Sequence, residues 1–228
     1  MIFSTKPNRN ETLSGGIYLS FMLIFLPMLL RLFNSLTGNT LSAGKVNFLY
    51  YFINFAAILP IFRKFLLQSL KDALRVPFPT IWLALLGYMG NRALSEMLAV
   101  LLLVLIPNFA NINDLNIVLM LREEFSLVAF GIVVLVPVVE ETLFRGMIFR
   151  NLYDRSPVGA YLISMFAFAA IHVTGYIGRV EPVYILLSFL QYLPAGYCLC
   201  FAYRRSGTII SPILMHMIVN AVAAFSMR

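Results

Sequence analysis

The sequence predicts an all-α membrane protein, a polytopic bundle of about seven transmembrane helices. Of its 228 residues, 61% are hydrophobic and 12% are charged, whereas an average soluble domain is about half apolar and about a quarter charged. Long apolar runs recur along the whole chain, and a helix needs about 20 such residues to cross the hydrocarbon core. This composition excludes a soluble enzyme, a disordered chain and a nucleic-acid-binding domain, despite the net charge of +7.

Seven segments are long and apolar enough to be predicted as spans. They are residues 17–36, 46–62, 80–106, 125–152, 158–174, 182–203 and 208–227. Six or eight spans are the alternatives, because glycines and a proline interrupt the chain between the fifth and sixth segments. The first apolar run is longer than a typical signal peptide core, so we expect an uncleaved span. No linker divides the chain, which we expect to form one membrane domain with N-terminal helices in residues 1–124 and a second group in residues 125–228.

The basic residues predict the orientation of these spans. Ten of the 17 lie on the side of the N-terminus: Lys6, Arg9, Arg63, Lys64, Lys71, Arg75, Arg150, Arg155, Arg204 and Arg205. Four lie on the other side: Lys45, Arg122, Arg179 and Arg228. Since cytoplasmic loops carry the excess of Lys and Arg, we expect a multi-pass protein of the cell membrane with a cytoplasmic N-terminus. The excess basic residues then lie next to anionic lipid head groups, so the positive net charge requires no acidic partner.

Residues 63–76 predict a short amphipathic helix between the second and third spans. Helical spacing places Leu66, Leu70, Ala73 and Leu74 on one face. Lys71, Asp72 and Arg75 lie elsewhere on the helix, so we expect it to lie in the cytoplasmic interface.

Charged residues inside predicted spans are expensive and mark a function or a paired neighbour. In the third span, Arg92 and Glu96 are four residues apart, a spacing that favours a neutralised packing pair. In the fourth, Glu141 and Arg145 have the same spacing. Adjacent helical residues diverge by about 100°, so Glu140 points elsewhere and lacks this partner.

Two further polar pairs lie in later spans, and both again have the four-residue spacing of one helix face. The fifth span ends with Phe168 and His172, and the seventh contains His216 and Asn220. Either pair alone fits ordinary packing or helix–helix hydrogen bonding. Together with Glu140, the two pairs contain the groups that a hydrolytic site needs. A carboxylate and a histidine can activate water, while a second histidine and an amide can stabilise an oxyanion. This combination indicates peptide-bond hydrolysis within the membrane.

These motifs resemble those of the CPBP family of intramembrane proteases, which includes CAAX proteases and bacteriocin-processing enzymes and is also called the Abi family. The family pattern is EExxxR, then FxxxH, then HxxxN or HxxxB. All three motifs occur here in order, carried by Glu140, Glu141 and Arg145, then Phe168 and His172, then His216 and Asn220. The resemblance covers roughly residues 125–227, and the first three spans contribute only compatible hydropathy.

The resemblance implies a CAAX-protease-like core in the C-terminal half, with a site that opens toward the cytoplasm. It assigns Glu140 and His172 to the orientation and deprotonation of the attacking water. His216 and Asn220 become the oxyanion hole. The residues that support this site are Glu141, Arg145 and Phe168.

The need for a metal is open at this point. The residues that could supply the three protein ligands of a catalytic zinc are Glu140, His172 and His216. The chain has no HExxH motif, and the resemblance favours a glutamate-dependent reaction without metal. We therefore expect no cofactor, with zinc as the alternative.

The predicted function is an endopeptidase acting on a peptide or a membrane-anchored protein, prenylated or not. The alternative is a non-catalytic membrane protein for bacteriocin immunity or partner binding that uses the same fold. A transporter with a proton relay is a third class, disfavoured by the lack of an internal repeat. We expect the lipid bilayer as a partner and no nucleic acid, while the oligomeric state stays open.

Overall fold

The computed structural model describes residue 3, residues 5–107 and residues 109–226, and every regular element in these ranges is helical. The predicted all-α fold class is confirmed. Within the described ranges the helices are α1 Arg9–Leu36, α2 Ala43–Ile61, α3 Arg63–Arg75, α4 Pro77–Leu105, α5 Ile112–Glu123, α6 Phe125–Tyr153, α7 Pro157–Val173, α8 Pro182–Ser206 and α9 Ile210–Ser226. Arg228, which we counted for orientation, and residue 227 of the last predicted span lie outside the described residues.

Among the described residues, five helices are long and apolar enough to cross a membrane. They are α1, α2, α6, α8, and α7 together with the 3₁₀ turn Thr174–Tyr176. The other two predicted spans correspond to α4, which has 29 residues, and to α9, a shorter apolar helix of 17 residues. α4 exposes large apolar side chains, among them Trp82, Met89 and Met97. The chain is thus a multi-pass membrane protein whose helices follow the predicted spans.

Side-chain caps begin several of these helices. Asn8 and Glu11 form a capping box at the start of α1, and Ser42, Asn111 and Ser156 accept backbone N–H bonds at the starts of α2, α5 and α7. Glu11 has a second role, because its carboxylate also accepts the Phe65 N–H of α3 at 2.9 Å. This bond ties the first helix to the short one.

α6 is the central helix of the bundle. In the most apolar stretch of α6, 61% of the residues are buried, whereas the corresponding stretches of the other four candidate spans have 17–39% of their residues buried. It packs against α2, α7 and α9. Two glycines of α6 allow close approaches, since a Cβ on Gly131 would lie 2.7 Å from the Tyr51 ring and one on Gly146 would lie 2.7 Å from the Phe65 ring.

α3 is amphipathic, and the row that packs on the protein shares only Ala73 with the predicted apolar face. Phe65, Ser69 and Ala73 are buried, whereas Leu70 and Leu74 are exposed. The protein-facing row therefore begins at Phe65 and repeats every four residues. The exposed leucines remain available to lipid.

The pair in α4 forms as predicted, with Arg92 bonded to Glu96. Both side chains are more than half exposed, so the pair lies on an outer face of the bundle. Asn91 and Ser95, on another face of the same helix, line the internal cavity described below.

Candidate active site

The backbone of α6 departs from the α-helical pattern on both sides of its glutamates. π-helical turns run over Gly131–Leu135 and Thr142–Phe149, and the regular segment Val136–Glu141 lies between them. Pro137 has no N–H to donate to the preceding turn. The helix continues through this point with a widened turn before the proline, where the Val136 N–H reaches the Gly131 carbonyl. Widened turns of this kind are frequent at functional sites.

Glu141 is the centre of a buried ionic triad. Its Oε1 lies 3.1 Å from Arg145 Nη1 and 2.8 Å from His216 Nδ1. Glu141 and Arg145 are fully buried, and His216 is 5% exposed. The carboxylate oxygen accepts both bonds, which orients His216 so that its Nε2 edge is left for other contacts. The four-residue pairing was expected from the sequence, whereas the bond to α9 was not.

Arg145 contacts two other helices in addition to its pairing with Glu141. Its Nη2 donates to the Gly196 carbonyl of α8 at 3.1 Å, and its guanidinium lies 4.2 Å from the centroid of the Phe168 ring of α7. A Cβ on Gly196 would lie 2.8 Å from the Met165 side chain, so only glycine allows α7 and α8 to approach here. The Phe168 ring thus makes a cation–π contact with the buried Arg145 guanidinium, which explains why this phenylalanine lies next to the site.

His172 is oriented by its own helix. Its Nδ1 lies 2.8 Å from the Phe168 carbonyl, and because a carbonyl only accepts, Nδ1 carries the proton. In the neutral imidazole Nε2 is then the acceptor. Nε2 faces Glu140, whose Oε2 lies 3.9 Å away. The two acceptor atoms are spaced so that one water molecule can bond to both.

Glu140, His172, His216 and Asn220 all line one internal cavity of about 330 Å³, which is within the range of ligand-binding clefts. The structure therefore brings the four predicted catalytic side chains, from α6, α7 and α9, to one place. The side chains of Glu140 and His172 retain 13% and 14% of their exposure there. Glu140 is separated from the Glu141 triad, as the divergence of adjacent helical residues predicted.

Asn220 bridges α9 and α6. Its Nδ2 donates to the Ile132 carbonyl at 2.7 Å, in the turn where Pro137 supplies no backbone donor. One of its two amide hydrogens is thereby used for structure, and the other is left for the cavity. Asn220 therefore joins α9 to α6 and also lines the cavity.

Several cavity residues were missed by the sequence analysis. Tyr192 of α8 stacks on His172 with ring centroids 4.1 Å apart. Further polar residues of the lining come from the N-terminal half: Tyr50, Tyr51, Asn54, Asn91, Ser95, Asn113 and Asp114. Polar residues inside apolar runs were the available signal, but single asparagines and tyrosines occur in ordinary membrane packing.

The candidate zinc ligands Glu140, His172 and His216 do not form a metal-binding cluster. Over the part of the chain that the structure describes, no three His, Cys, Asp or Glu side chains come close enough to bind one ion. His216 instead directs Nδ1 to Glu141, while Glu140 Oε2 lies 3.9 Å from His172 Nε2. The zinc ligand set considered from the sequence is thus not assembled in this geometry.

The fold and the cavity define a class: a polytopic membrane protein with a glutamate–histidine pair in an internal, partly polar pocket. Residues 122–222 match the family model described as type II CAAX prenyl endopeptidase Rce1-like. Over this range the chain is similar to a CAAX-protease domain, which is consistent with the CPBP family. Neither the curated proteins nor the solved structures gave a significant match.

Proposed function

We propose that the protein is an intramembrane endopeptidase in which Glu140 and His172 activate the attacking water. The observation that carries this proposal is the approach of Glu140 Oε2 to His172 Nε2, 3.9 Å apart at the wall of the cavity. The matched family supports endopeptidase activity in general. The assignment of individual residues rests on the geometry.

The water bonded between the two acceptors loses a proton to one of them as its oxygen attacks the scissile carbonyl carbon. The carbonyl π bond opens and a tetrahedral oxyanion forms. The proton is then delivered to the leaving nitrogen, the C–N bond breaks, and a carboxylic acid and an amine result. Each step uses only groups that face the cavity.

His216 and Asn220 are proposed to bind the oxyanion. His216 Nε2 donates when the ring is doubly protonated, and Glu141 compensates the resulting imidazolium at 2.8 Å. The second hydrogen of the Asn220 amide completes the pair of donors. Arg145 donates to the same carboxylate oxygen and holds Glu141 in place.

The proposed substrates are peptides or membrane-anchored proteins. The name of the matched family points to prenylated CAAX termini, and we include non-prenylated peptides as the alternative within the same class. The reaction proposed here is glutamate-dependent and requires no metal, with zinc as the alternative that chelation distinguishes.

Purified protein in proteoliposomes tests the proposal. The probes are internally quenched CAAX peptides, each made with and without a farnesyl group, and a mixed peptide library read by mass spectrometry. Glu140→Gln is expected to lower the rate for the best-cleaved peptide at least about 100-fold, as loss of a general base does, while the unfolding temperature is unchanged. Glu96→Gln is the matched control, because that glutamate lies on the outer face of α4.

Equal cleavage by wild type and Glu140→Gln would contradict the proposed role of Glu140. If the wild-type protein cleaves no peptide of either set, the endopeptidase proposal is wrong and the non-catalytic alternative gains.

A further inference from the structure

Tyr192 covers one face of the His172 imidazole. The ring centroids are 4.1 Å apart and the planes differ by 26°, which is a stacked arrangement. The phenol comes from the middle of α8, and the imidazole comes from the last turn of α7. A direct contact of this kind restricts where the imidazole can rotate.

Two further restraints on His172 come from its own helix. Nδ1 donates to the Phe168 carbonyl four residues earlier, and the Phe168 ring lies 4.7 Å from the imidazole at an angle of 56°. Both contacts move with α7. The orientation of His172 relative to the rest of the cavity therefore depends on the packing partner from α8.

Tyr192 is itself anchored at its hydroxyl group. The Asn113 side-chain amide donates to it at 3.0 Å, and the hydroxyl donates to Asp114 Oδ1 at 3.0 Å. Asn111 strengthens the same end of α5, because its Oδ1 accepts the backbone N–H groups of both residues. Its amide also donates to Gln191 at 2.9 Å. The hydroxyl is held from two sides, which fixes the outer end of the phenol ring next to α5.

We propose that Tyr192, anchored by Asn113 and Asp114, is a positioning residue that holds the His172 imidazole in the orientation directed at Glu140. The catalytic consequence rests on the proposed function, whereas the positioning itself does not. The anchoring residues precede residues 122–222, the range of the family match. The N-terminal half of the chain thus contributes to the geometry of the site.

The effect on catalysis follows from geometry. A misplacement of about 1 Å in a reacting group lowers a rate up to about 100-fold. Tyr192→Leu removes both the stacked ring and its anchor, so we expect kcat to fall about 10- to 100-fold with KM within twofold of wild type. Tyr192→Phe keeps the ring and loses only the anchor, and a fall of about threefold is expected.

A second readout needs no substrate. The chain has two histidines, so protein labelled with ¹⁵N-histidine gives two sets of imidazole signals, which His172→Gln assigns. A stacked phenol shields the protons of the ring beneath it. We expect Tyr192→Leu to shift the His172 signals downfield and to leave those of His216 nearly unchanged. Tyr192→Phe is expected to retain most of the shielding.

Tyr197→Leu is the matched control on the same helix. Tyr197 is 47% exposed and its ring contacts Tyr161, away from the cavity. The positioning role is overturned if Tyr192→Leu retains the wild-type His172 signals, or if it raises KM without lowering kcat. It is also overturned if Tyr197→Leu lowers kcat equally. If the wild type proves inactive, the proposed function fails and the NMR comparison alone decides the positioning role.

Discussion

Glu141 accepts bonds from both a guanidinium and an imidazole while it is fully buried. A buried carboxylate without partners is strongly unfavourable in a low-dielectric environment. The removal of one partner from a buried pair costs about 3–5 kcal/mol, mostly because the other charge is left uncompensated. At the scale of single residues, the stability of the site therefore depends more on Arg145 than on the residues that touch the cavity.

This difference predicts the effect of two alanine variants on the free energy of unfolding. Arg145→Ala should lower it by about 3–5 kcal/mol and reduce the amount of folded protein in membranes. Asn220→Ala removes one interhelical hydrogen bond, which is worth about 0.6 kcal/mol on average in a membrane protein. Denaturant titration in mixed micelles compares the two.

Arg92→Ala serves as the control, since its partner Glu96 is exposed on the outside of the bundle. This variant should unfold like the wild type. Equal stability of the Arg145 and Asn220 variants would show that the Glu141 carboxylate finds another partner.

At the scale of elements, the approach of α7 and α8 decides where Arg145 can donate. The Gly196 carbonyl accepts Arg145 Nη2, and the same residue packs directly on Met165. The two facts have one cause, because a side chain on residue 196 would separate the helices and move the carbonyl away. The closeness of this packing also places Phe168 under the guanidinium.

Gly196→Val is expected to destabilise the protein by about 1–3 kcal/mol, the usual cost of overpacking. Its Cβ would lie 3.1 Å from the Met165 Cα as well as 2.8 Å from the side chain, so a rotamer change of Met165 cannot relieve the clash. Thermal unfolding in detergent measures the effect. Gly16→Ala is the control, because no atom lies within 4 Å of a Cβ there; unfolding of both variants at the wild-type temperature would argue against close packing of α7 on α8.

At the scale of the whole molecule, the distribution of basic residues predicts the orientation in the membrane. Single cysteines introduced as Gln68→Cys in α3 and Thr40→Cys between α1 and α2 should label from opposite sides with a membrane-impermeant maleimide. The native Cys198 and Cys200 are free and buried, so they should contribute little labelling. In intact cells only Thr40→Cys should react; reaction of Gln68→Cys instead would reverse the proposed orientation.

Metal dependence is a second property of the whole protein. Since the described Glu and His side chains form no three-ligand cluster, we expect cleavage in proteoliposomes to persist after treatment with EDTA or 1,10-phenanthroline. The initial rate before and after chelation is the measurement. A complete loss that zinc restores would contradict the metal-free reaction.

The spans could be predicted from the sequence, as could the pairing of Glu141 with Arg145 and the separation of Glu140 from both. These follow from hydropathy and the helical period, which are local properties of a chain. The face of α3 that packs on the protein could not be predicted in this way, because Phe65 and Ser69 lie outside the apolar row. In a membrane protein, apolar side chains face lipid as readily as they face the core, so hydropathy alone does not identify the packed face.

The sequence by itself therefore determined the membrane environment, the approximate spans and the motif residues that reach the cavity. Only the tertiary structure decided that His216 bonds to Glu141, that Tyr192 stacks on His172, and that helices of the N-terminal half complete the cavity wall. The physical reason is that contacts between helices depend on how each helix is rotated and how closely it approaches its neighbours. Small residues and buried polar bonds from distant parts of the chain set both, and their effect is not encoded in local spacing.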